Sequence, residues 1–381
     1  MLRPRSRLLT GNLACAVLAL SICSNARAVE QDLKPDGPVV QVALLLDTSN
    51  SMDGLINQAR TQLWKIVNEF NKSKYAGQQP KLQVALYEYG NNGLAAGEGY
   101  IRMVLPLTTD LDLVSEKLWG LKTNGGSEYC GQAIHNAATE LAWSRNAHAY
   151  KAIFIAGNEP FTQGSVDFRA SCSEALSKGV IINTIHCGPE GSGREGGWAD
   201  GAKAGEGKFL NIDQDRASVV FAAPQDDELL KLSITINGTY VPYGKSGDEG
   251  KARQSVQTAN ASTASAGAER AYSSANATYT NGNWDLVDAV KEKKIDLATA
   301  KDSDLPEVMR KMTVEERQKY IDQQAAQRAE IQKRIAELYA ARDKFVLEER
   351  QKQSSSEPET LDTAILKAVR EQLNDRDFKT E

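Results

Sequence analysis

Val39-Val40-Gln41-Val42-Ala43-Leu44-Leu45-Leu46-Asp47-Thr48-Ser49-Asn50-Ser51-Met52 is the stretch that decides the fold. Its first nine residues are a near-continuous apolar run, the pattern of a strand buried on both faces; a half-exposed strand alternates instead. An acid and two hydroxyls follow at alternate positions, Asp47, Ser49 and Ser51. Leu55 to Phe70 then repeats apolar residues at helical spacing (Ile56, Leu63, Ile66, Val67, Phe70). Oxygen-bearing side chains that leave a buried strand and enter a helix can converge on one hard cation. Mg²⁺ takes oxygen ligands and keeps several waters, so Asp47 is placed to act directly or through water while Ser49 and Ser51 bind.

Working outward, strand-like runs recur at Leu82 to Tyr89, Tyr100 to Leu105, Lys151 to Ala156, Val180 to His186 and Lys208 to Ile212. Helical patterns separate them at Leu111 to Leu118, Gln132 to Trp143 and Asp167 to Lys178. Buried strands alternating with helices predict a doubly wound α/β fold with a mostly parallel sheet over residues 38–237. Sites in such sheets lie at the carboxyl ends of the strands, where the Asp47 segment falls.

With that motif in that place, residues 39–237 resemble the von Willebrand factor type A family, whose metal-ion-dependent adhesion site begins with it. The resemblance implies a further hydroxyl from a second loop; Thr123-Asn124-Gly125-Gly126-Ser127 offers Ser127. It also implies an Asp-Gly at the end of the fourth strand. Here Ile153-Phe154-Ile155-Ala156-Gly157-Asn158-Glu159-Pro160 places Gly157 where that Asp belongs, leaving Glu159, or Glu128 beside Ser127, to supply a carboxylate. Three segments look like a bacterial exported subgroup of the family: Gly126 to Gly131, Gly157 to Thr162, and His186-Cys187-Gly188. The ion implied is Mg²⁺, with Mn²⁺ or Ca²⁺ as alternatives, and the partner implied is a protein that contributes an acidic side chain to it.

Beyond the sheet, Leu232 to Gly244 reads as a bridge, and residues 245–283, rich in Ser, Ala, Asn, Thr and Gly, as a linker or loosely held helices. Residues 284–381 form a helical tail. Thr313-Val314-Glu315-Glu316 fits a capping box that opens a long helix over about 314–351, and Ser354-Ser355-Ser356-Glu357-Pro358 ends it. Along that helix Val314, Ile321, Ile331, Ile335, Leu338 and Phe345 fall on a heptad seam broken by Arg317, Gln324, Arg328 and Arg342. Two readings stand, a charged helix packed on its own chain and a surface for self-association. Leu361 to Leu373 forms a last amphipathic helix.

The N-terminus reads as a signal peptide, residues 1–28: Arg3, Arg5 and Arg7, the apolar run Leu13 to Cys23, and the small-x-small triplet Ala26-Arg27-Ala28. A periplasmic or secreted location follows. Of 45 basic residues four leave with that segment, so 41 face 50 acidic ones, and no basic patch interleaved with aromatics offers a footprint for nucleic acid. Cys130, Cys172 and Cys187 remain. An oxidising compartment permits one bridge, and Cys130 with Cys187 is the favoured pair, since both flank Gly at element edges; free buried thiols are the alternative.

The histidines, His135, His148 and His186, form no zinc-protease motif, and neither a nucleophile elbow nor a Walker loop is present. Neighbours on a strand point to opposite faces, so His186 and Cys187 cannot pair as base and nucleophile. The expectation is a non-enzymatic, exported binding module centred on Asp47, Ser49, Ser51, Ser127 and Glu159. The alternative is an envelope-associated scaffold that works through its C-terminal helix.

Overall fold

The apolar run becomes the centre of a six-stranded sheet. The strands of the chain are β1 (Val39–Asp47), β2 (Ser73–Tyr75), β3 (Lys81–Tyr89), β4 (Ile101–Thr108), β5 (Tyr150–Gly157), β6 (Ile181–Cys187), β7 (Glu206–Ile212) and β8 (Phe378–Thr380). The large sheet has the order β4-β3-β1-β5-β6-β7, parallel throughout except for β4, which runs antiparallel to β3. This computed structural model describes residues 37–213, 215, 221–352 and 361–380. The signal-peptide reading and the Ser-Pro stop after the long helix lie outside them.

Every residue of β1 is buried, and its side chains divide between two layers. Val40, Val42, Leu44 and Leu46 face α1 (Asp53–Asn71) and α2 (Leu111–Gly120), whereas Ala43 and Leu45 face α3 (Cys130–Glu140) and α4 (Phe168–Ser177). Two short helices, α5 (Glu190–Glu195) and α6 (Trp198–Ala204), cover the second layer near β6 and β7. The doubly wound, mostly parallel sheet is therefore present, with β1 at the switch between the two directions of winding.

The remaining helices are α7 (Asp226–Asn237), α8 (Gly247–Asn260), α9 (Ala264–Ala275), α10 (Leu286–Lys291), α11 (Val314–Lys352) and α12 (Leu361–Asn374). Small side chains let α9 approach α1 and α7 closely, and Ala268, Ala271 and Ser273 are fully buried. The capping box opens α11 as its sequence implies: Thr313 N–H donates to Glu316 (2.8 Å) and Glu316 N–H to the Thr313 hydroxyl (3.2 Å). At 1.5 Å per residue the helix is about 58 Å long.

The arginines that interrupt the seam of α11 are its anchors. Arg328 donates to Asp285 (3.0 Å), Asp288 (2.8 Å) and Thr239 and lies 3.7 Å over the Tyr240 ring. Arg342 bonds Asp226 (2.6 Å) and Glu269 (3.0 Å), and Arg317 bonds Asp302 and the carbonyl of Met309. Ile321, Ile331, Ile335 and Leu338 are buried on the same chain. Each guanidinium is met by acids or carbonyls of the fold, while the aliphatic stem packs as apolar surface.

The last helix returns to the sheet. Leu361 and Ile365 meet Leu44, Leu46, Phe154 and Ile185, and Gln372 accepts from the Tyr150 hydroxyl (2.8 Å) and donates to Asn183 (2.7 Å). Ion pairs Lys65 with Asp362 and Arg370 with Glu69 tie it to α1. Beyond it, β8 pairs antiparallel with β2 and buries Phe378 against Tyr75.

Candidate metal centre

At the end of β1 the chain leaves the sheet through a local bond: Ser49 N–H donates to Asp47 Oδ1 (2.7 Å), the turn that Asp makes with the backbone two residues on. Thr48 bridges to both neighbours, donating its N–H to the Tyr89 carbonyl (2.9 Å) and accepting from Asn124 N–H (2.9 Å). A single helical turn, Asn50 to Met52, then feeds α1 and sets Ser51 on the side of Ser49, their hydroxyl oxygens 3.2 Å apart. Asn158, just after β5, donates to the Ser51 hydroxyl (3.0 Å), so the loops after β1 and β5 meet.

Asp47 is fully buried, and its Oδ2 has no hydrogen-bond donor. Asn158 Oδ1 is orphaned in the same way. The buried Glu128 carboxyl stands within hydrogen-bonding reach of Asp47, and Ser49 lies close to both carboxyls. A Cβ on Gly90 would lie 2.7 Å from Asp47 Oδ1 and 2.8 Å from Glu128 Cγ, so the two acids straddle a glycine that also needs its positive φ of 77°. Burial, and then Glu128, hold the Asp47 carboxyl well above the ordinary carboxylate range. Burial raises Glu128 as well, against the lowering effect of its hydrogen bonds. Two buried carboxyls in contact require a proton or a cation between them.

Of the residues singled out in the sequence, Asp47, Ser49 and Ser51 are brought together. Ser127 is half-buried in the segment between α2 and α3, directly before Glu128. Glu159 is exposed. Its side chain accepts from Gln163 at 3.4 Å, while its backbone N–H reaches the Glu128 carboxyl and its carbonyl accepts from Trp198 (2.9 Å). Glu128, not Glu159, is the acid in contact with Asp47. Sequence reading passed over Tyr89 and Asn158, and the signal for Tyr89 was available: a bulky aromatic ends β3 opposite Asp47 while the strand on the other side of β1 ends in glycine.

The expected bridge between Cys130 and Cys187 is absent; Cys130, Cys172 and Cys187 are all free and buried. The sheet separates the first and last of them, because Cys130 opens α3 in one layer and Cys187 points into the other with Ile185. Burial pushes the Cys172 thiol up to about 12 and the other two upward as well, so none is a poised nucleophile. His135 pairs with Glu174, His148 with Tyr75 and His186 with Asn211. Among the described residues no group of three His, Cys, Asp or Glu side chains is gathered as a metal would require. The donors available at the strand ends are oxygens, hydroxyl and amide as much as carboxyl, a set suited to Mg²⁺, Mn²⁺ or Ca²⁺.

The family model for the von Willebrand factor type A domain matches residues 41–201, from β1 through the loops that hold this cluster. Residues 41–201 are a von Willebrand factor type A domain. Solved structures similar to the chain include BatB from Bacteroides thetaiotaomicron, 17% identical over 46% of this chain and 90% of that one, with a TM-score of 0.34. An aerotolerance-related membrane protein from Bacteroides fragilis is 19% identical over 46% of this chain and 93% of its own, at 0.32. Proximal thread matrix protein 1 of the mussel byssus, with a zinc-occupied metal-ion-dependent adhesion site, is 15% identical over 47% and 43%, at 0.36. No curated protein matches the chain. Von Willebrand A domains commonly mediate protein–protein interaction, and among the described residues no helix is long and apolar enough to cross a membrane.

Proposed function

We propose that this chain is a non-enzymatic binding protein whose von Willebrand A domain captures a protein partner through a divalent cation at the end of β1. The observation that carries this reading is Asp47 Oδ2: a fully buried carboxylate oxygen without a donor, on a side chain whose other oxygen lies beside a second acid, Glu128. Leaving such an atom unsatisfied costs about 1–3 kcal/mol, more for a charged group, and a cation removes that penalty. Asp47, Ser49 and Ser51 would hold the ion, with Ser127 completing the loop side. A bound cation supplies a coordination position that a partner's carboxylate can fill. The chain's own residues keep Asp47 oriented through Ser49 N–H and keep Ser51 in place through Asn158.

Export to a periplasmic or extracellular space belongs to the same proposal and is supported by Arg3, Arg5 and Arg7, the Leu13 to Cys23 run and the Ala26-Arg27-Ala28 triplet. A scaffold that acts through the apolar seam of α11 draws less support, because Ile321, Ile331, Ile335 and Leu338 already pack within the chain. The test is partner capture by the immobilised full-length protein in Mg²⁺ and in chelator. Capture should disappear in chelator and in Asp47→Ala while the circular dichroism spectrum is kept; undiminished capture in chelator refutes the proposal.

A further inference from the structure

The end of β5 lacks the carboxylate that the domain family places there, and the structure gives a steric reason. A Cβ built on Gly157 would lie 2.5 Å from the Tyr89 hydroxyl, 3.1 Å from Asp47 Oδ2 and 3.2 Å from Asp47 Cβ. Any side chain at this position must displace Tyr89 or Asp47. Tyr89 is fully buried, and its hydroxyl donates to the Ala156 carbonyl (2.9 Å) and accepts from Cys130 Sγ (3.7 Å). Its one proton is therefore committed to Ala156, and the hydroxyl that fills the space cannot satisfy Asp47 Oδ2.

On the opposite flank of Asp47 another acid is in place. The Glu128 Cγ and Asp47 Oδ1 lie within 2.8 Å and 2.7 Å of the same point beside Gly90, and Glu128 is buried. Its carboxyl lies close to the Ser49 hydroxyl and to the backbone N–H of Glu159, the residue two places after the missing ligand. Glutamate has one methylene more than aspartate, which lets it reach the Asp47 carboxyl from the segment between α2 and α3. Two acids still serve the site, entering from different sides.

We propose that Glu128 is the second acidic ligand of the cation site, and that the Tyr89 hydroxyl, by occupying the space beside Gly157, is what excludes a ligand from the end of β5. This inference rests on the cation-binding reading above and assigns the residue that completes it. The carboxylate count at the site is preserved, and that count is what sets affinity for hard cations.

The experiment is titration of the full-length protein with Mn²⁺, followed by electron paramagnetic resonance of the free ion and by calorimetry, with no partner present. Glu128→Gln keeps the shape of the side chain and removes its charge, so Mn²⁺ affinity should fall at least roughly tenfold with an unchanged fold. Glu159→Gln, which removes a neighbouring charge but no ligand, should lower affinity by clearly less than Glu128→Gln does. Adding Tyr89→Phe and Gly157→Asp to Glu128→Gln should restore binding by returning a carboxylate to β5. Wild-type affinity in a folded Glu128→Gln variant, or a loss in Glu159→Gln as large as that in Glu128→Gln, overturns the assignment. A folded triple variant that fails to bind overturns the role given to Tyr89. Absence of Mn²⁺ binding by the wild type refutes the cation reading itself, a result distinct from retained binding in Glu128→Gln.

Discussion

Gly157→Ala tests the packing argument without any ion. The added Cβ would sit 2.5 Å from the Tyr89 hydroxyl, and ordinary contact begins near 3.4 Å, so the overlap is about 0.9 Å. Gly157 is not among the residues with positive φ, so the substitution carries no backbone strain and the effect is steric. Tyr89 cannot yield freely, being buried and bonded to Ala156, and overpacking of this kind costs about 1–3 kcal/mol. Tyr89→Phe alone should cost about 1 kcal/mol, the value of the lost hydrogen bond. In the double variant the hydroxyl is gone, and the nearest remaining neighbours of the new methyl are Asp47 atoms at 3.1 and 3.2 Å. The two losses should therefore not add, with a coupling of at least about 0.5 kcal/mol. Urea unfolding in chelator, read by circular dichroism for the four members of the cycle, measures it. A wild-type midpoint for Gly157→Ala, or strict additivity, would show that the hydroxyl does not guard this space.

Two further outcomes follow from the buried charges. Asp47 and Glu128 are both held above the carboxylate range, chiefly by burial, so above about pH 4 the folded chain retains protons that the unfolded chain has released. Stability in chelator should fall as pH rises through the raised values, and the stabilisation by added Mg²⁺ should grow over the same interval; urea melts of wild type minus Asp47→Asn isolate the pair, and a flat difference between pH 4 and 7 contradicts it. Arg328→Met leaves Asp285 and Asp288 buried without their cation and should destabilise by about 3–5 kcal/mol, checked by the same melts, whereas a loss below about 1 kcal/mol would mean that α11 is not anchored there.

The sheet was legible because a strand buried on both faces writes a near-continuous apolar run, and Val39 to Leu46 and Tyr150 to Gly157 do so, broken only by Gln41 and Lys151. The opening of the site was legible because Asp47, Ser49 and Ser51 are close in sequence. What completes it was not, since the contact of Glu128 with Asp47 depends on how the segment between α2 and α3 is laid against Gly90. The arginines of α11 looked like faults in a seam because periodicity counts apolar residues and cannot see that Asp285, Asp288 and Asp226 wait in the fold. The side of the sheet on which a cysteine falls was readable in principle from strand parity: Cys187 shares a face with Ile185, opposite the layer that α3 covers. β2 and β8, three residues each, are too short to carry a pattern.

The return of α12 and β8 to the sheet also shapes how the molecule must come into being. Leu44 and Leu46 receive Leu361 and Ile365 only after some three hundred intervening residues have been made, and Phe154 and Ile185 only after about two hundred. Until then α1 covers this apolar floor only in part, and closing it is a contact of long sequence separation, the kind that forms late and slowly. The order of synthesis thus keeps the half that bears Asp47 unfinished until the half that bears α12 arrives.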